Sequence, residues 1–412
     1  MEAGLRHMIQ IAILGYGIVG SGVFEVLKQN RAHIEKKAQQ SILVKRVLDK
    51  RDLSPELGQL YTSNYEDILH DDEIQIIAET MGGTDPAYDY VKRALLKGKH
   101  VCTSNKELVI KHGAELLAIA EERDLNFLFE ASVGGGIPVV RPINLALSTD
   151  EIVNISGILN GTSNYMLTQM SSFGKSYKEA LIEAQKLGFA EFDPTADVGG
   201  FDACRKLAIL LSIATGRQVD YENILTEGIT EIEAADFAFA RALGFSLKPM
   251  VDGQVKEKGV QAMSAPMLLH HSHPLSAVSG VFNGVMVQAK ATGDVMFYGQ
   301  GAGRMPTAGA VISDVVDIAK HLHRHIIHSW SGDKTDVLPS AGYVTRKLIR
   351  ISYTNKPDID AVVVELPEYP GQMAWLTPKE TEEATMASLD ELDTKNIEIK
   401  RILRICETGS LQ

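Results

Sequence analysis

The chain is poor in cysteine and short of positive charge, and each shortage excludes a class of protein. Its three cysteines (Cys102, Cys204 and Cys406) are widely spaced and odd in number. They fit neither a disulfide framework nor a zinc-binding pattern, so we expect them to be reduced. Lysine and arginine number 41 against 53 acidic residues, which gives a formal net charge of −12. A chain this acidic is not expected to bind nucleic acid or an anionic membrane surface.

Long hydrophobic runs and an export signal are also missing. No apolar stretch reaches the roughly eighteen residues that a membrane-spanning helix needs, so we expect a cytoplasmic protein without a membrane partner. Residues Met1–His7 are interpreted as a short disordered leader. The 412 residues, of which 45% are hydrophobic and 23% charged, are typical of a globular enzyme with two or three domains.

Seven histidines fall in two groups, and we do not predict a metal site on either. No cysteine or acidic residue follows either group at ligand spacing, and the second group is predicted to lie along a helix. The groups are His270, His271 and His273, and His321, His323, His325 and His328.

The first recognisable motif is a glycine-rich turn near the amino terminus. Met8–Leu14 reads as a strand, the turn follows at once, and an amphipathic pattern then continues as one long helix to about Gln40. A G-x-G-x-x-G turn between a strand and a helix predicts a dinucleotide site, because the glycines let the backbone approach a pyrophosphate. A turn without a ligand is the alternative. The predicted cofactor contacts are Gly15, Tyr16, Gly17, Ile18, Val19 and Gly20.

Strands and helices continue to alternate after this motif. Further strands are predicted at Ile42–Leu48, Ile74–Ala78, His100–Cys102 and Asn126–Phe129, with helices at Pro86–Leu96 and Lys106–Glu122. This alternation predicts an α/β fold built on a Rossmann-type, doubly wound parallel sheet. Ligands bind at the carboxyl edge of such sheets, where the segments 79–83, 103–106 and 130–136 are expected.

The end of the second strand should select the cofactor, and it contains residues that favour NAD as well as residues that favour NADP. Asp49 would accept hydrogen bonds from the ribose of NAD, whereas Lys50 and Arg51 would pair with the 2′-phosphate of NADP. Position along the chain does not decide between them.

The pattern changes after about Ile137. A strand Glu151–Leu159 is followed by a polar turn Asn160–Tyr165, and more strands are predicted at 248–255, 262–268 and 280–289. A second glycine-rich turn, 298–307, precedes a helix predicted at 308–325. The predicted divisions are a dinucleotide-binding domain (1–136), an α+β substrate-binding and dimerisation domain (137–300), a segment that returns to the nucleotide domain (301–340), and a small α+β appendage (345–412).

Residues 188–206 (GFAEFDPTADVGGFDACRK) carry the strongest chemical signal. Asp202 and Lys206 stand four apart at the start of a helix predicted at Asp202–Thr215, so their side chains share one face. A solvated ion pair is the usual meaning of this spacing. Here an acidic loop containing Glu191 and Asp197 precedes the pair. Such a loop would hold the ammonium group of an amino acid while Lys206 handles a proton.

Six motifs, in order, resemble the homoserine dehydrogenase family over residues 8–328. They are GYGIVGSG (15–22), TSNK (103–106), EASVGGGIP (130–138), GILNGTSNYML (157–167), LGFAEFDPTADVGGFDACRKLAI (187–209) and FYGQGAGRMPTA (297–308). The resemblance implies NAD(P)-dependent interconversion of L-homoserine and L-aspartate 4-semialdehyde, in threonine, methionine and isoleucine biosynthesis. It also implies a homodimer or homotetramer.

The resemblance assigns roles by position. Lys206 resembles the family's proton donor and acceptor, with Lys106 as a second lysine at the reacting centre and Asp202 beside it. The implied substrate ligands are Glu191, Asp202, Asp197, Gly161 and Thr162. The implied cofactor contacts beyond the glycine-rich turn are Lys50, Arg51, Met81, Lys106, Gly188 and Gly303.

Two further expectations come from the resemblance. The segment EASVGGGIP matches the family's sodium site, which would use Glu130 and the backbone oxygens of Val133, Gly135 and Ile137. Arg51 falls where many members place an arginine for the phosphate of NADP, so NADP is favoured while NAD stays possible.

Two departures from the family pattern limit what carries over. Phe189 replaces a tyrosine found in many members, so a substrate contact through a phenol oxygen is absent. The appendage lacks the Asp-x-Pro-Gly turn and first helix of the family's ACT domain, so we expect a truncated ACT-like domain that senses no amino acid and needs a partner surface.

Two other functions stay open on the residues alone. One is a Rossmann dehydrogenase for a different amino-acid aldehyde, which the specific loop GFAEFDP disfavours. The other is an NADP-binding regulatory protein without chemistry, which the presence of both Lys106 and Lys206 disfavours.

Overall fold

The computed structural model describes residues 8–328, 330–390, 392 and 396–408, so the leader predicted at Met1–His7 lies outside the described residues. The chain divides into two compact units. The first comprises the chain up to Thr149 with Ala208–Gln218 and Gly299–Lys334, and the second comprises Asp150–Leu207, Val219–Tyr298 and the chain from Thr335 onward. Within the described residues, every helix is too short or too polar to cross a membrane.

The described part of the chain contains strands that fall mainly into two large sheets, and helices that pack on them. The strands are β1 (Met8–Leu14), β2 (Ser41–Leu48), β3 (Tyr61–Thr62), β4 (Ile74–Glu79), β5 (His100–Thr103), β6 (Phe127–Leu128), β7 (Ile152–Ile158), β8 (Arg217–Val219), β9 (Leu225–Thr226), β10 (Phe245–Lys256), β11 (Gly259–His270), β12 (Phe282–Ala289), β13 (Gly293–Gln300), β14 (Ser331–Thr335), β15 (Val344–Thr345), β16 (Lys347–Tyr353), β17 (Val363–Val364), β18 (Gln372–Leu376), β19 (Glu380–Thr381) and β20 (Ile397–Ile405). The α-helices are α1 (Ile18–Gln29), α2 (Arg31–Ala38), α3 (Ser54–Leu57), α4 (Glu66–Leu69), α5 (Ala87–Leu96), α6 (Lys106–Glu122), α7 (Gly161–Phe173), α8 (Tyr177–Lys186), α9 (Thr195–Val198), α10 (Phe201–Thr215), α11 (Ala234–Ala242), α12 (Arg304–Lys320) and α13 (Glu382–Asp390).

The first unit is built on a six-stranded parallel sheet with the order β3-β2-β1-β4-β5-β6. The strand order reverses between β1 and β4, and in open α/β sheets this switch point opens a crevice for a ligand at the carboxyl edge. The predicted Rossmann-type, doubly wound sheet is confirmed.

Helices α1, α2 and α12 cover one face of this sheet. Their apolar side chains form a continuous core with those of β1, including Ile11, Val26 and Val315. Helix α1 approaches α12 closely at Gly22, where a Cβ atom would lie only 2.8 Å from the carbonyl oxygen of Arg304. Glycine at this position therefore lets α12 lie directly against the helix that follows the glycine-rich turn.

The second unit contains a mixed sheet with the order β13-β12-β7-β10-β11-β20-β16-β18-β17, and β9 also pairs with β11. Strands β10 and β11 are antiparallel along their whole lengths, from Phe245 opposite His270 to Lys256 opposite Gly259. The predicted α+β second domain is therefore confirmed. The four functional divisions of the chain stay a prediction.

The carboxyl-terminal module, residues 345–408, continues the sheet of the second unit. Strand β20 runs parallel to β11 and antiparallel to β16, and helix α13 lies between β19 and β20 in sequence. Its described residues 354–371 contain no helix. The module therefore packs on strand β11 of the same chain, through its own strand β20. Its ACT-like character stays a prediction.

Three local predictions are wrong. The single first helix is two helices, because Asn30 leaves helical geometry and ends α1. Residues 160–165 are not a turn; Asn160 caps α7, which begins at Gly161. The helix predicted at 308–325 runs from Arg304 to Lys320, so the histidines from His321 to His328 follow it in irregular structure.

Candidate active site

The glycine-rich turn between β1 and α1 has little room for side chains on one side and open space on the other. Gly15 has φ of +88° and donates its N–H to the carbonyl oxygen of Leu48 at 2.8 Å. A Cβ atom on Gly20 would lie 1.9 Å from the oxygen of Gly15, whereas one on Gly17 would meet no atom within 4 Å. The turn is tight at Gly15 and Gly20 and open at Gly17, and the N–H groups at the start of the helix that follows such a turn favour a pyrophosphate.

Asp49 and Arg51, at the end of β2, are tied to this turn. Asp49 accepts a hydrogen bond from the N–H of Tyr16 at 2.8 Å and pairs with the Arg51 guanidinium at 2.9 Å. Arg51 also donates to the carbonyl oxygen of Tyr16 at 2.7 Å. The hydrogen bond from Arg51 holds the pKa of Asp49 well below its ordinary value, although burial opposes it. The side chain of Arg51 is 62% exposed, and Lys50 beside it is also exposed.

A buried acid, Glu79, links two loops at the carboxyl edge of the sheet. Its carboxylate accepts the N–H of Met81 at 2.6 Å and the hydroxyl of Thr103. The Thr103 hydroxyl in turn accepts the N–H of Asn105 at 2.9 Å, and Asn105 caps α6, whose first residue is Lys106. Burial raises the pKa of Glu79 to about 7, despite these hydrogen bonds.

The predicted sodium segment also lies in the first unit. The carboxylate of Glu130 accepts three backbone N–H groups, from Val139 at 2.6 Å, Val140 at 2.9 Å and Arg141 at 2.8 Å. No described group donates a hydrogen bond to the carbonyl oxygens of Val133, Gly135 and Ile137. Carbonyl oxygens are of the ligand type that hard cations bind, whereas the carboxylate oxygens of Glu130 are engaged by N–H groups.

Gly303 also lies in the first unit. It has φ of +125° and directly precedes α12.

The strongest polar cluster of the second unit surrounds Lys206. Its ammonium pairs with Asp202 at 2.8 Å and donates to the carbonyl oxygen of Leu159 at 2.9 Å. The amide of Asn160 donates to Asp202 at 2.9 Å and to Asp197 at 2.7 Å. Asp202 is 4% exposed and Lys206 is 9% exposed, so this ion pair is not the solvated pair that the spacing usually indicates.

Local backbone geometry sets the positions of these groups. The side-chain oxygen of Asn160 accepts the N–H of Ser163 at 2.8 Å, which fixes the start of α7 directly after β7. Gly200, with φ of +81°, turns the acidic loop into α10, which then places Asp202 and Lys206 one turn apart.

The other predicted substrate and cofactor residues of this unit lie around the amino terminus of α7 and the end of α8. Gly161 is the first residue of α7, and Thr162 donates its hydroxyl to the carbonyl oxygen of Phe189 at 2.6 Å. Gly188 has φ of +75° and follows α8, and the ring of Phe189 meets that of Tyr165 edge-on at 5.0 Å. Glu191 is exposed.

The sequence interpretation missed two side chains that organise these clusters. Asn160 joins Asp197 to Asp202, and its signal was available, because asparagine before a helical Gly-Thr-Ser is a common helix cap. Glu79 joins the loops of Met81 and Lys106, but nothing in the sequence distinguishes it from an ordinary acid at the end of a strand.

Comparisons with known proteins match the parts of the chain that contain both clusters. Residues 15–130 match the family model described as "Homoserine dehydrogenase, NAD binding domain", and residues 138–316 match the model "Homoserine dehydrogenase". Together these models span more than half of the chain. The chain belongs to the homoserine dehydrogenase family.

Individual homoserine dehydrogenases are similar over most of their length. That of Synechocystis sp. is 42% identical over 319 residues, which are 75% of this chain and 73% of the relative. That of Bacillus subtilis is 40% identical over 319 residues, 76% of this chain and 73% of the relative. The crystal structure of the homoserine dehydrogenase from Thiobacillus denitrificans is 33% identical and superposes with a TM-score of 0.88 over 97% of this chain and 98% of that one.

Membership of the family settles the reaction. Homoserine dehydrogenases are NAD(P)-dependent oxidoreductases that act on the CH–OH group of L-homoserine, and this chain interconverts L-homoserine and L-aspartate 4-semialdehyde. The predicted function and enzyme class are therefore confirmed, and the two alternatives left open by the residues alone are excluded.

Proposed function

We propose that Lys206 moves the proton in this reaction, giving it to the substrate oxygen in reduction and taking it back in oxidation. The single observation that carries the proposal is the buried contact of its ammonium with Asp202 and the carbonyl oxygen of Leu159. An ammonium has three N–H donors, and these two partners use two of them. Within the described residues, one N–H therefore remains for a substrate oxygen.

Hydride transfer is the chemistry that the bound nicotinamide supplies. The protein contributes orientation and charge. Lys206 must carry a proton in the reduction direction and must be neutral in the oxidation direction. Lys106, at the amino terminus of α6, is proposed as the second lysine at the reacting carbon.

The substrate is proposed to be held at both ends of its amino-acid group. The acids Asp202, Asp197 and Glu191 offer carboxylates to its ammonium. Gly161 and Thr162 start α7, and the N–H groups at a helix amino terminus favour a carboxylate.

NADP is proposed as the preferred nucleotide. Arg51 has an exposed guanidinium beside the glycine-rich turn, with Lys50 next to it, and both suit a 2′-phosphate. Asp49, the residue that would favour NAD, already accepts hydrogen bonds from Tyr16 and Arg51. Met81, Gly188 and Gly303 are proposed as further contacts of the cofactor.

Three coarser proposals complete the assignment. A sodium ion at the carbonyl oxygens of Val133, Gly135 and Ile137 would stabilise the loop after Glu130. The active species is proposed to be a homodimer or homotetramer. The chain is proposed to act through a nucleotide domain, a substrate and dimerisation domain, a returning segment and a truncated ACT-like module.

The proton role is tested with Lys206→Ala. Turnover should fall on the order of 10²–10⁴-fold, the usual contribution of a positioned acid–base group, while NADPH binding measured by fluorescence stays unchanged. Lys290→Ala is the matched control, because Lys290 forms an exposed ion pair with Glu151 at 2.7 Å in the same unit. Near-normal turnover of Lys206→Ala would mean that Lys106 or water carries the proton instead.

A further inference from the structure

An arginine of the carboxyl-terminal module contacts a glutamate that follows β9 in the second unit. Arg404, on β20, donates to the carboxylate of Glu227 at 2.8 Å and forms a two-point contact with Glu382 at 3.0 and 3.1 Å. Only 9% of its side chain is exposed. Charge-assisted hydrogen bonds from a planar guanidinium are strong and directional, so Glu227 and Glu382 are held in a fixed relation.

Glu227 and Arg404 meet because their segments pair with neighbouring stretches of one strand. Strand β9, just before Glu227, pairs with β11 at Met263 and Ser264, and the N–H of Glu227 donates to the carbonyl oxygen of Ser264 at 2.8 Å. Strand β20 pairs with the same β11 at Met267 and Leu268. The ion pair thus joins the two segments that share this part of β11.

The backbone around Glu227 packs tightly against the turn that precedes α10. The N–H of Ile229 donates to the carbonyl oxygen of Val198 at 2.8 Å. A Cβ atom on Gly228 would lie 2.5 Å from that same oxygen, and one on Gly200 would lie 3.0 Å from the oxygen of Glu227. There is no space for either segment to move toward the other, so the position of 227–229 defines that of 198–200.

The far end of the same segment is held by a second arginine of the module. Arg350, on β16, is fully buried and pairs with Glu233 at 2.8 Å and with Asp236 at 3.0 Å, at the start of α11. The stretch from 227 to 236 is therefore attached to the carboxyl-terminal module at both ends. Breaking the buried pair of Arg350 with Asp236 would leave an uncompensated charge, so this attachment resists movement.

We propose that Arg404 is a positioning residue for homoserine: by holding Glu227 it fixes the turn 198–200, and with it the start of α10, where Asp202 and Lys206 lie. The inference rests on the proposed substrate role of Asp202 and Lys206. It gives the carboxyl-terminal module a part in substrate binding that does not require the module to bind any ligand.

The test compares Arg404→Met, Arg404→Lys, Glu227→Gln and the double variant Arg404→Met/Glu227→Gln. The KM for homoserine should rise roughly five- to twentyfold in Arg404→Met. This rise is smaller than the loss of a direct hydrogen bond between the substrate and a charged group would cause, because Arg404 acts on the site through Glu227. The KM for NADPH should stay unchanged, and kcat should fall by a smaller factor than the KM for homoserine rises, because Lys206 keeps its own contact with the carbonyl oxygen of Leu159. Arg404→Lys should restore part of the loss, since an ammonium cannot engage both carboxylates as the guanidinium fork does. The KM for homoserine in the double variant should be no higher than in Arg404→Met, because the two substitutions break the same contact between Arg404 and Glu227.

Arg346→Met is the matched control, since Arg346 forms a more exposed pair with Glu407 at 2.7 Å in the same module. An unchanged homoserine KM in both Arg404→Met and Glu227→Gln, or an equal rise in the KM for NADPH, would overturn the proposal. If Arg404→Met does not fold, Glu227→Gln decides alone, because the Glu227 side chain is 40% exposed. The proton role of Lys206 is tested separately, since full activity of Lys206→Ala would refute it. The Arg404 variants retain Lys206, so their results concern only the positioning role of Arg404.

Discussion

At the scale of single residues, burial distinguishes the Asp202–Lys206 pair from ordinary surface charge. Arg31 and Glu35 show the same i,i+4 spacing as Asp202 and Lys206, but the Arg31 side chain is 56% exposed. The sequence predicted the Asp202–Lys206 pair from spacing and from the acidic loop around it. It could not predict the buried carbonyl oxygen of Leu159 as a third member, because that contact joins residues 47 positions apart.

Arg51→Ala should weaken NADPH far more than NADH. A guanidinium paired with the 2′-phosphate senses only the phosphorylated cofactor, and losing such a contact raises KM roughly 10- to 100-fold. Steady-state kinetics with both cofactors measures this. Arg46→Ala is the control, because Arg46 lies nearby on β2 and donates to the backbone oxygens of Lys45 and Gln59. Equal effects on both cofactors would show that Arg51 only supports the turn at Tyr16.

Glu79→Gln should change how stability depends on pH. Folding raises the pKa of Glu79 from 4.5 to about 7, so the folded protein binds this proton more tightly than the unfolded chain. The contribution is present below pH 4.5 and is lost as pH rises through 7. Between pH 5 and 8 the wild type should therefore lose, relative to Glu79→Gln, on the order of 2–3 kcal/mol of unfolding free energy. Urea unfolding of both proteins at several pH values measures the difference, and parallel curves would contradict it.

At the scale of elements, long periodic segments were predictable and short ones were not. The sequence located α6 at its observed bounds, since its pattern extends over many residues. Strands β3 and β9 have two residues each, too few to show alternation. The polar residues at the start of α7 also occur in turns, so the sequence predicts a turn there, and only the cap formed by Asn160 distinguishes a helix from a turn.

Removing sodium should destabilise the loop that follows Glu130. The carbonyl oxygens of Val133, Gly135 and Ile137 would lose the cation that they are proposed to bind, and a bound ion stabilises only the folded state. Replacing sodium chloride with tetramethylammonium chloride at equal ionic strength should lower Tm by a few degrees and reduce activity. Potassium chloride serves as a size control. Identical Tm and turnover in all three salts would mean that the turn is stable without a cation.

At the scale of the whole molecule, local signals predicted what each unit does but not how its distant segments connect. The glycine-rich turn and the acidic loop are both continuous in sequence, so the nucleotide and substrate functions could be predicted from motifs. The pairing of β20 with β11 joins Arg404 to Met267 across more than a hundred residues. No local pattern encodes such a pairing, because it depends on which edge of the sheet is open after the rest has folded.

L-threonine should not regulate this enzyme. A ligand site in an ACT domain depends on the loop and helix after its first strand, and here residues 354–371, between β16 and β18, contain no helix. Saturating L-threonine should leave both turnover and Tm of the full-length protein unchanged. L-homoserine, an isomer of threonine, is the positive control, since it should raise Tm through the substrate site. Weak inhibition that homoserine overcomes would reflect competition at that site. Inhibition that persists at saturating homoserine would show that a separate threonine site exists, and the module would then be a sensor as well as a support for α10.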